Sequence, residues 1–110
     1  MRAIHLVRLD KIRPAVLLTR YVAIPYLSMI TVAPITSSVR GIATEVPVSP
    51  AHGLDHDHVI HLDTITTVPS EHVGAFVGLL GPHDEALLVQ AVLAAFGFAL
   101  PPTRAARTSG

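Results

Sequence analysis

The sequence has no cysteine, so it can form neither a disulfide scaffold nor a cysteine-based zinc or thiol site. Disorder is excluded because half of the residues are hydrophobic, only 15% are charged and the mean hydropathy is +0.52. The longest weakly polar run, residues 86–100, contains Gln90 and is shorter than the roughly 20 residues that span a bilayer. Residues 1–13 carry four basic side chains and no uninterrupted apolar stretch, so no secretory signal is predicted. We expect a soluble, cytoplasmic protein without membrane contact.

A chain of 110 residues has room for one compact domain and not for a second. We expect this single domain to cover residues 1–100 and residues 101–110 to form a flexible tail.

The net charge of zero conceals two oppositely charged regions. Residues 1–40 hold six basic side chains and one acid, which gives +5, whereas residues 41–100 hold seven acids and neither Lys nor Arg. Charge that is separated along a sequence favours separate faces in the fold. The basic face would suit a polyanion.

Short apolar or alternating segments predict strands in most of the chain before residue 81. Pro34 is expected to mark the edge or the end of the third strand, and Pro47 to place the fourth at a sheet edge. The predicted strands cover residues 3–9, 15–19, 28–33, 44–48, 58–62, 64–68 and 75–80.

One long helix is predicted from Pro82 to Phe96, because two acids occupy its first turn and Gly97 follows its last residue. The helix is apolar nearly all the way round, which a small domain cannot cover by itself. We therefore predict a mostly β (α+β) fold, a small SH3-like β-barrel with a C-terminal helix, that assembles as a homodimer.

Two polar clusters follow strand boundaries. Arg13 precedes Pro14 at the start of the second strand, where its guanidinium could project from the barrel rim. Thr36, Ser37 and Ser38 are three consecutive hydroxyls at the end of the third strand, and Arg40 follows them. Hydroxyl and guanidinium groups both donate hydrogen bonds to phosphate oxygens. Taken singly, the first cluster is better explained as a solvated rim charge and the second as an ordinary polar turn.

A third cluster covers residues 52–63 and contains four histidines and three aspartates. Its spacing matches no standard zinc pattern, so we expect no metal there. Strand alternation places His61 and Asp63 on one face and His58 on the other. His61 and Asp63 could then form an acid/base pair, because imidazole titrates near neutral pH.

In this order, the clusters resemble the MazF/PemK family of toxin endoribonucleases. The resemblance covers roughly residues 3–98 and includes a C-terminal helix. It is carried by Arg-Pro-Ala-Val-Leu-Leu-Thr at residues 13–19, Val-Ala-Pro-Ile-Thr-Ser at 32–37, Thr-Glu-Val-Pro-Val at 44–48, Leu-Asp-Thr-Ile-Thr-Thr-Val at 62–68 and Val-Gly-Leu-Leu at 77–80.

The resemblance implies a homodimer of SH3-like barrels that cleaves single-stranded RNA without a metal or other cofactor. Cleavage would leave a 2′,3′-cyclic phosphate and a 5′-hydroxyl, and a cognate antitoxin would neutralise the toxin. Arg13 and Thr36 match the family's catalytic arginine and threonine. His61 stands where the Kid-like branch carries a catalytic arginine, and Asp63 matches that branch's catalytic aspartate. Candidate RNA-binding residues are Thr19, Arg20, Ser37, Ser38 and Arg40.

The sequence also departs from the family pattern. The connection before Arg13 is short, and Thr64 and Thr66 replace the family's glutamine and arginine after the aspartate. These changes affect the expected cleavage sequence more than the chemistry. Two alternatives stay open: a gyrase-poisoning toxin of the same fold that acts through its C-terminal helix, and a metal-binding protein that uses His56, His58 and His61.

Overall fold

The computed structural model describes residues 1–99. The expected tail, residues 101–110, lies outside them. Within the described part, the chain forms seven strands, one α-helix and four short 3₁₀ turns. The strands are β1 (Arg2–Arg8), β2 (Ile12–Leu17), β3 (Met29–Thr36), β4 (Glu45–Val48), β5 (His58–His61), β6 (Thr66–Pro69) and β7 (Val73–Leu80), and the helix is α1 (Pro82–Phe96).

All strand pairs are antiparallel, and the sheet runs in the order β4-β5-β3-β2-β1-β7, with β6 paired to β3 outside this path. The sheet is curled into a half-barrel in which β4 and β7 are the two ends of this order. The predicted mostly β fold with a C-terminal helix is confirmed. Pro47 lies in β4, the predicted edge strand.

The core consists of two groups of buried aliphatic side chains. The larger group lies between the sheet and α1, and includes Ile35, Ile60 and Leu62 beside Leu88 of the helix. The smaller group lies where β1, β2, β3 and β6 meet, around Val32. Burial of each such side chain contributes about 1.5–3 kcal/mol. Both groups fix β3, and the larger group also fixes β5; these two strands carry several of the polar residues considered below.

β3 continues past Pro34, so of the two predicted roles for this proline the end of the strand is wrong. Pro34 pairs with Ala15 of β2, while the other side of β3 pairs with β6 as far as Val32 and with β5 from Ile35 onwards. Pro34 lies in the gap between these two partners, so its missing N–H removes no hydrogen bond on that side. Thr36 is thereby placed on the sheet beside β5.

A turn between β4 and β5 packs directly against β7. A Cβ atom on Gly78 would collide with the backbone oxygen of His52, and one on Gly53 with the backbone oxygen of Val77. The His52 imidazole accepts a hydrogen bond from the Ser49 N–H at Nδ1 (3.1 Å). Its Nε2 donates to the Asp84 carboxylate at 3.1 Å, which ties the turn to the start of α1.

The helix has the predicted bounds. The Asp84 carboxylate accepts the Gly81 N–H at its start, and Gly97 ends it with a left-handed backbone. Leu88 and Ala91 are buried against the core, whereas Val89 and Phe96 are exposed. Among residues 1–99, no helix has the length and apolar character needed to cross a membrane.

Candidate active site

A polar cavity of about 210 Å³ opens where β2, β3 and the end of β5 come together. It brings together residues that are up to 51 positions apart in the sequence, from Arg13 to Thr64. Its lining residues are Arg13, Pro34, Thr36, Ser38, Arg40, His61 and Thr64.

Arg13 is held at the cavity by the short connection between β1 and β2. Its Nη2 donates to the Asp10 carboxylate at 2.9 Å, and its side chain is 25% exposed. The Lys11 backbone N–H and the Arg13 charge lower the pKa of Asp10 against the opposing effect of desolvation. The Nε of Arg13 is buried and has no hydrogen-bond partner among the described residues. The guanidinium therefore keeps donor capacity for an anion.

Thr36 and Arg40 are placed by the segment that follows β3. The Thr36 Oγ1 accepts the Ser38 N–H at 3.2 Å. The Glu45 carboxylate accepts the N–H groups of Arg40 (3.0 Å) and Gly41 (2.9 Å), which fixes the backbone at the cavity rim. Desolvation alone would raise the pKa of Glu45, but these backbone hydrogen bonds outweigh it and the pKa is lowered.

His61 is oriented by Thr64, which follows it in a 3₁₀ turn. The His61 Nδ1 lies 2.9 Å from the Thr64 Oγ1, and the same hydroxyl donates to the His61 carbonyl at 3.4 Å. When Nδ1–H donates to the Thr64 oxygen, the Nε2 of a neutral imidazole carries the free lone pair.

Residues 6–96 match the family described as PemK-like, MazF-like toxin of type II toxin-antitoxin system. The chain is 46% identical over 96 residues to Endoribonuclease MazF3 of Mycobacterium tuberculosis strain H37Rv, covering 87% of this chain and 93% of that protein. It belongs to this family. Among solved structures, it is similar to M. tuberculosis toxin MazF-mt6, with a TM-score of 0.88, 43% identity and coverage of 90% of this chain and 100% of that one.

An endoribonuclease from a mycobacterial species, solved in complex with its cognate antitoxin, has the same fold at a TM-score of 0.79 and 19% identity. That match covers 90% of this chain and 95% of the other. Together, the matches confirm the predicted family and a MazF-type endoribonuclease toxin. They do not favour the gyrase-poisoning alternative.

The other predicted site residues of this MazF-type toxin lie outside the polar cavity. β5 ends at His61, and the turn at Leu62–Thr64 interrupts the alternation that was expected to align His61 with Asp63. Asp63 instead accepts a hydrogen bond from the Thr44 hydroxyl at 2.6 Å. Ser37 is exposed and does not line the cavity.

Thr19 and Arg20 line a separate cavity of about 120 Å³ near the start of β1. The Thr19 hydroxyl also accepts the Thr31 N–H at 2.9 Å. Sequence reasoning missed one residue of the cavity. Thr64 lines it, although the sequence analysis considered Thr64 only as a departure from the family pattern. Its spacing of three residues from His61 was the available signal, because a turn at that spacing brings the two side chains together.

Proposed function

We propose that this MazF-type toxin cleaves single-stranded RNA by attack of a ribose 2′-hydroxyl on the adjacent phosphorus, without a metal. The 2′-oxygen forms a bond to phosphorus, the bond between phosphorus and the 5′-oxygen breaks, and the leaving 5′-oxygen takes up a proton from water. The products carry a 2′,3′-cyclic phosphate and a 5′-hydroxyl. This proposal rests on the observation that Arg13, Thr36 and His61 line one cavity of about 210 Å³.

Arg13 stabilises the negative charge that grows on the phosphate oxygens during attack. Its pKa above about 12 makes it a poor base, whereas fixed charge-assisted donors favour a developing anion. The ion pair with Asp10 holds the guanidinium in place, and the buried Nε is free of other partners among the described residues. The hydroxyl of Thr36 supplies a second donor. Ser38 and Arg40 hold the phosphate from the rim.

His61 acts as the general base. In the tautomer in which Nδ1–H donates to the Thr64 hydroxyl, its Nε2 carries the lone pair that accepts a proton. It removes the 2′-hydroxyl proton as the new bond to phosphorus forms. Asp63, which contacts Thr44, acts only indirectly, through the turn that carries Thr64.

The RNA strand extends on both sides of the cleaved phosphate. Arg13, Pro34 and Thr64 also line a second cavity of about 300 Å³, together with Asp10 and residues 9 and 66, so the guanidinium lies between two spaces. A nucleotide can occupy each. Contacts from Ser37, Thr19 and Arg20 are proposed for nucleotides further along the strand, and phosphate contacts of this kind weaken as salt rises.

We further propose that the toxin acts in the cytoplasm as a homodimer that a cognate antitoxin neutralises. The family description supports an antitoxin. The apolar surface of α1 supports a protein partner: the exposed Val89 and Phe96 line a mainly apolar cavity of about 460 Å³ together with Leu88 and Val92.

The test is primer extension on a mixed RNA pool with EDTA present, comparing the wild type with Arg13→Ala. Arg8→Ala is the matched control, because Arg8 is an exposed arginine that does not line the cavity. We expect wild type and Arg8→Ala to cut at one recurring short sequence and Arg13→Ala to leave it intact. Mass spectrometry of the products should find the cyclic phosphate.

Equal cutting by Arg13→Ala and the wild type would remove Arg13 from the mechanism. Cutting that disappears in EDTA and returns with Mg²⁺ would overturn the metal-independent reaction.

A further inference from the structure

A second group of polar side chains lies at the opposite end of β5 from His61. Asp55, His56 and His58 each offer one ligand atom, and the three atoms lie within 4.8 Å of one another. His58 occupies the first position of β5, where it pairs with Val48 of β4, and its side chain is only 12% exposed. Asp55 and His56 belong to the exposed segment that leads into the strand. One ligand is thus fixed by the sheet.

The geometry is that of two nitrogens converging on one oxygen. The Asp55 Oδ1 lies 2.9 Å from the His56 Nδ1 and 3.0 Å from the His58 Nε2, and the two rings are 4.1 Å apart. The two nitrogen–oxygen separations are about 0.4–0.5 Å shorter than the roughly 3.4 Å between neighbouring ligands of a tetrahedral metal with bonds of about 2.0–2.1 Å, so a small outward movement of the exposed Asp55 would admit an ion. The other His58 nitrogen, Nδ1, has no partner among residues 1–99, so turning Nε2 from carboxylate to metal breaks no other contact.

We propose that Asp55, His56 and His58 form a binding site for a divalent late transition metal, with Zn²⁺ as the preferred ion. Two imidazoles and one carboxylate are ligands that such ions accept, and the remaining positions would be filled by water. Each imidazole binds through the nitrogen that faces Asp55 and carries its proton on the other nitrogen.

The site is separate from the polar cavity and independent of the proposed cleavage. His61 is not among the three ligand residues, since its Nδ1 is held by Thr64. A metal here would tie the exposed segment before β5 to the strand itself. Its expected effect is therefore on stability rather than on cleavage, because a ligand that binds only the folded state raises its stability.

The test is isothermal titration of ZnCl₂ into untagged protein at pH 7.5, followed by the same titration for Asp55→Ala and His58→Ala. We expect one ion per chain and a loss of affinity of at least about tenfold in each variant, because even an outer-shell partner typically contributes about 10–100-fold. His83→Ala is the matched control, since His83 is an exposed histidine outside the group. His61→Ala serves as a second control. Neither should change the affinity.

Histidine NMR signals provide a measurement that needs no variant. Added Zn²⁺ should shift the ring signals of His56 and His58 and leave those of His52 and His61 in place. Absence of saturable binding would overturn the site. So would an affinity that Asp55→Ala leaves unchanged, or a loss in His83→Ala equal to that in His58→Ala, because either result describes adventitious binding by surface histidines.

Discussion

His58 and His61 stand at the two ends of the four-residue strand β5, and their surroundings differ. The His61 ring meets a hydroxyl, that of Thr64, and lines a cavity that also contains Arg13. The His58 ring meets a carboxylate, that of Asp55, and lies beside a second imidazole. A hydroxyl orients an imidazole without adding charge, whereas a carboxylate and a second imidazole are groups that can bind a metal ion. The role of each histidine therefore depends on its neighbours.

The sharpest test of this comparison replaces each histidine in turn. We expect His61→Ala to lower the rate of RNA cleavage by about 10²–10⁴-fold, the usual contribution of a general base, and His58→Ala to leave it within about twofold of the wild type. The measurement is the single-turnover cleavage rate on one RNA that contains the recurring sequence. Comparable losses of cleavage rate in both variants would contradict the separate roles of His58 and His61, because the two ends of β5 would then share one function.

A smaller effect is expected from the residue that orients His61. Thr64→Val keeps the shape of the side chain and removes its hydroxyl, so His61 loses the partner of Nδ1. We expect the maximal cleavage rate to fall about tenfold, or about 1.4 kcal/mol, in line with one lost hydrogen bond.

The pH–rate profile should also move in Thr64→Val, and Thr64→Ser should restore both rate and profile. A reduced rate with an unchanged profile in Thr64→Val would assign Thr64 a purely structural role.

The smallest effect concerns acid stability. Glu45, opposite His61 in the sheet, and Asp55, beside His58, both have a pKa below the ordinary value. The folded state therefore binds fewer protons than the unfolded state. The resulting stabilisation is complete above the unfolded pKa of about 4 and is lost as the pH falls through the folded values.

Urea unfolding at several pH values should show a free energy of unfolding that declines below about pH 4 and declines less steeply in Glu45→Gln and Asp55→Asn. An identical pH dependence of the free energy of unfolding in the wild type and in both variants would contradict the lowered pKa values of Glu45 and Asp55.

Much of the fold could be predicted from the sequence because local signals agreed with the tertiary packing. The acids after Pro82 and the glycine after Phe96 marked both ends of α1. For Pro34, the sequence predicted an edge or an end of the strand and could not decide between the two. The gap between β6 and β5 lies just there, and no single-strand pattern reports where a neighbour ends.

The site was predictable only in part. Motif resemblance selected Arg13, Thr36 and His61, which the fold brings to one cavity. Simple alternation failed for Asp63 because the strand ends at His61 and a 3₁₀ turn redirects the next three residues. The hydrogen bond between Thr64 and His61 depends on that turn and could not be predicted from the two-residue alternation of a strand.

The close packing of Gly53 and Gly78 against neighbouring backbone has a genetic consequence. Any missense change of a glycine codon adds a side chain, and neither position has room for one. When cells make a toxin without its antitoxin, mutations that inactivate the toxin are selected. Missense mutations at codons 53 and 78 would then let a cell survive while every residue of the polar cavity stays unchanged.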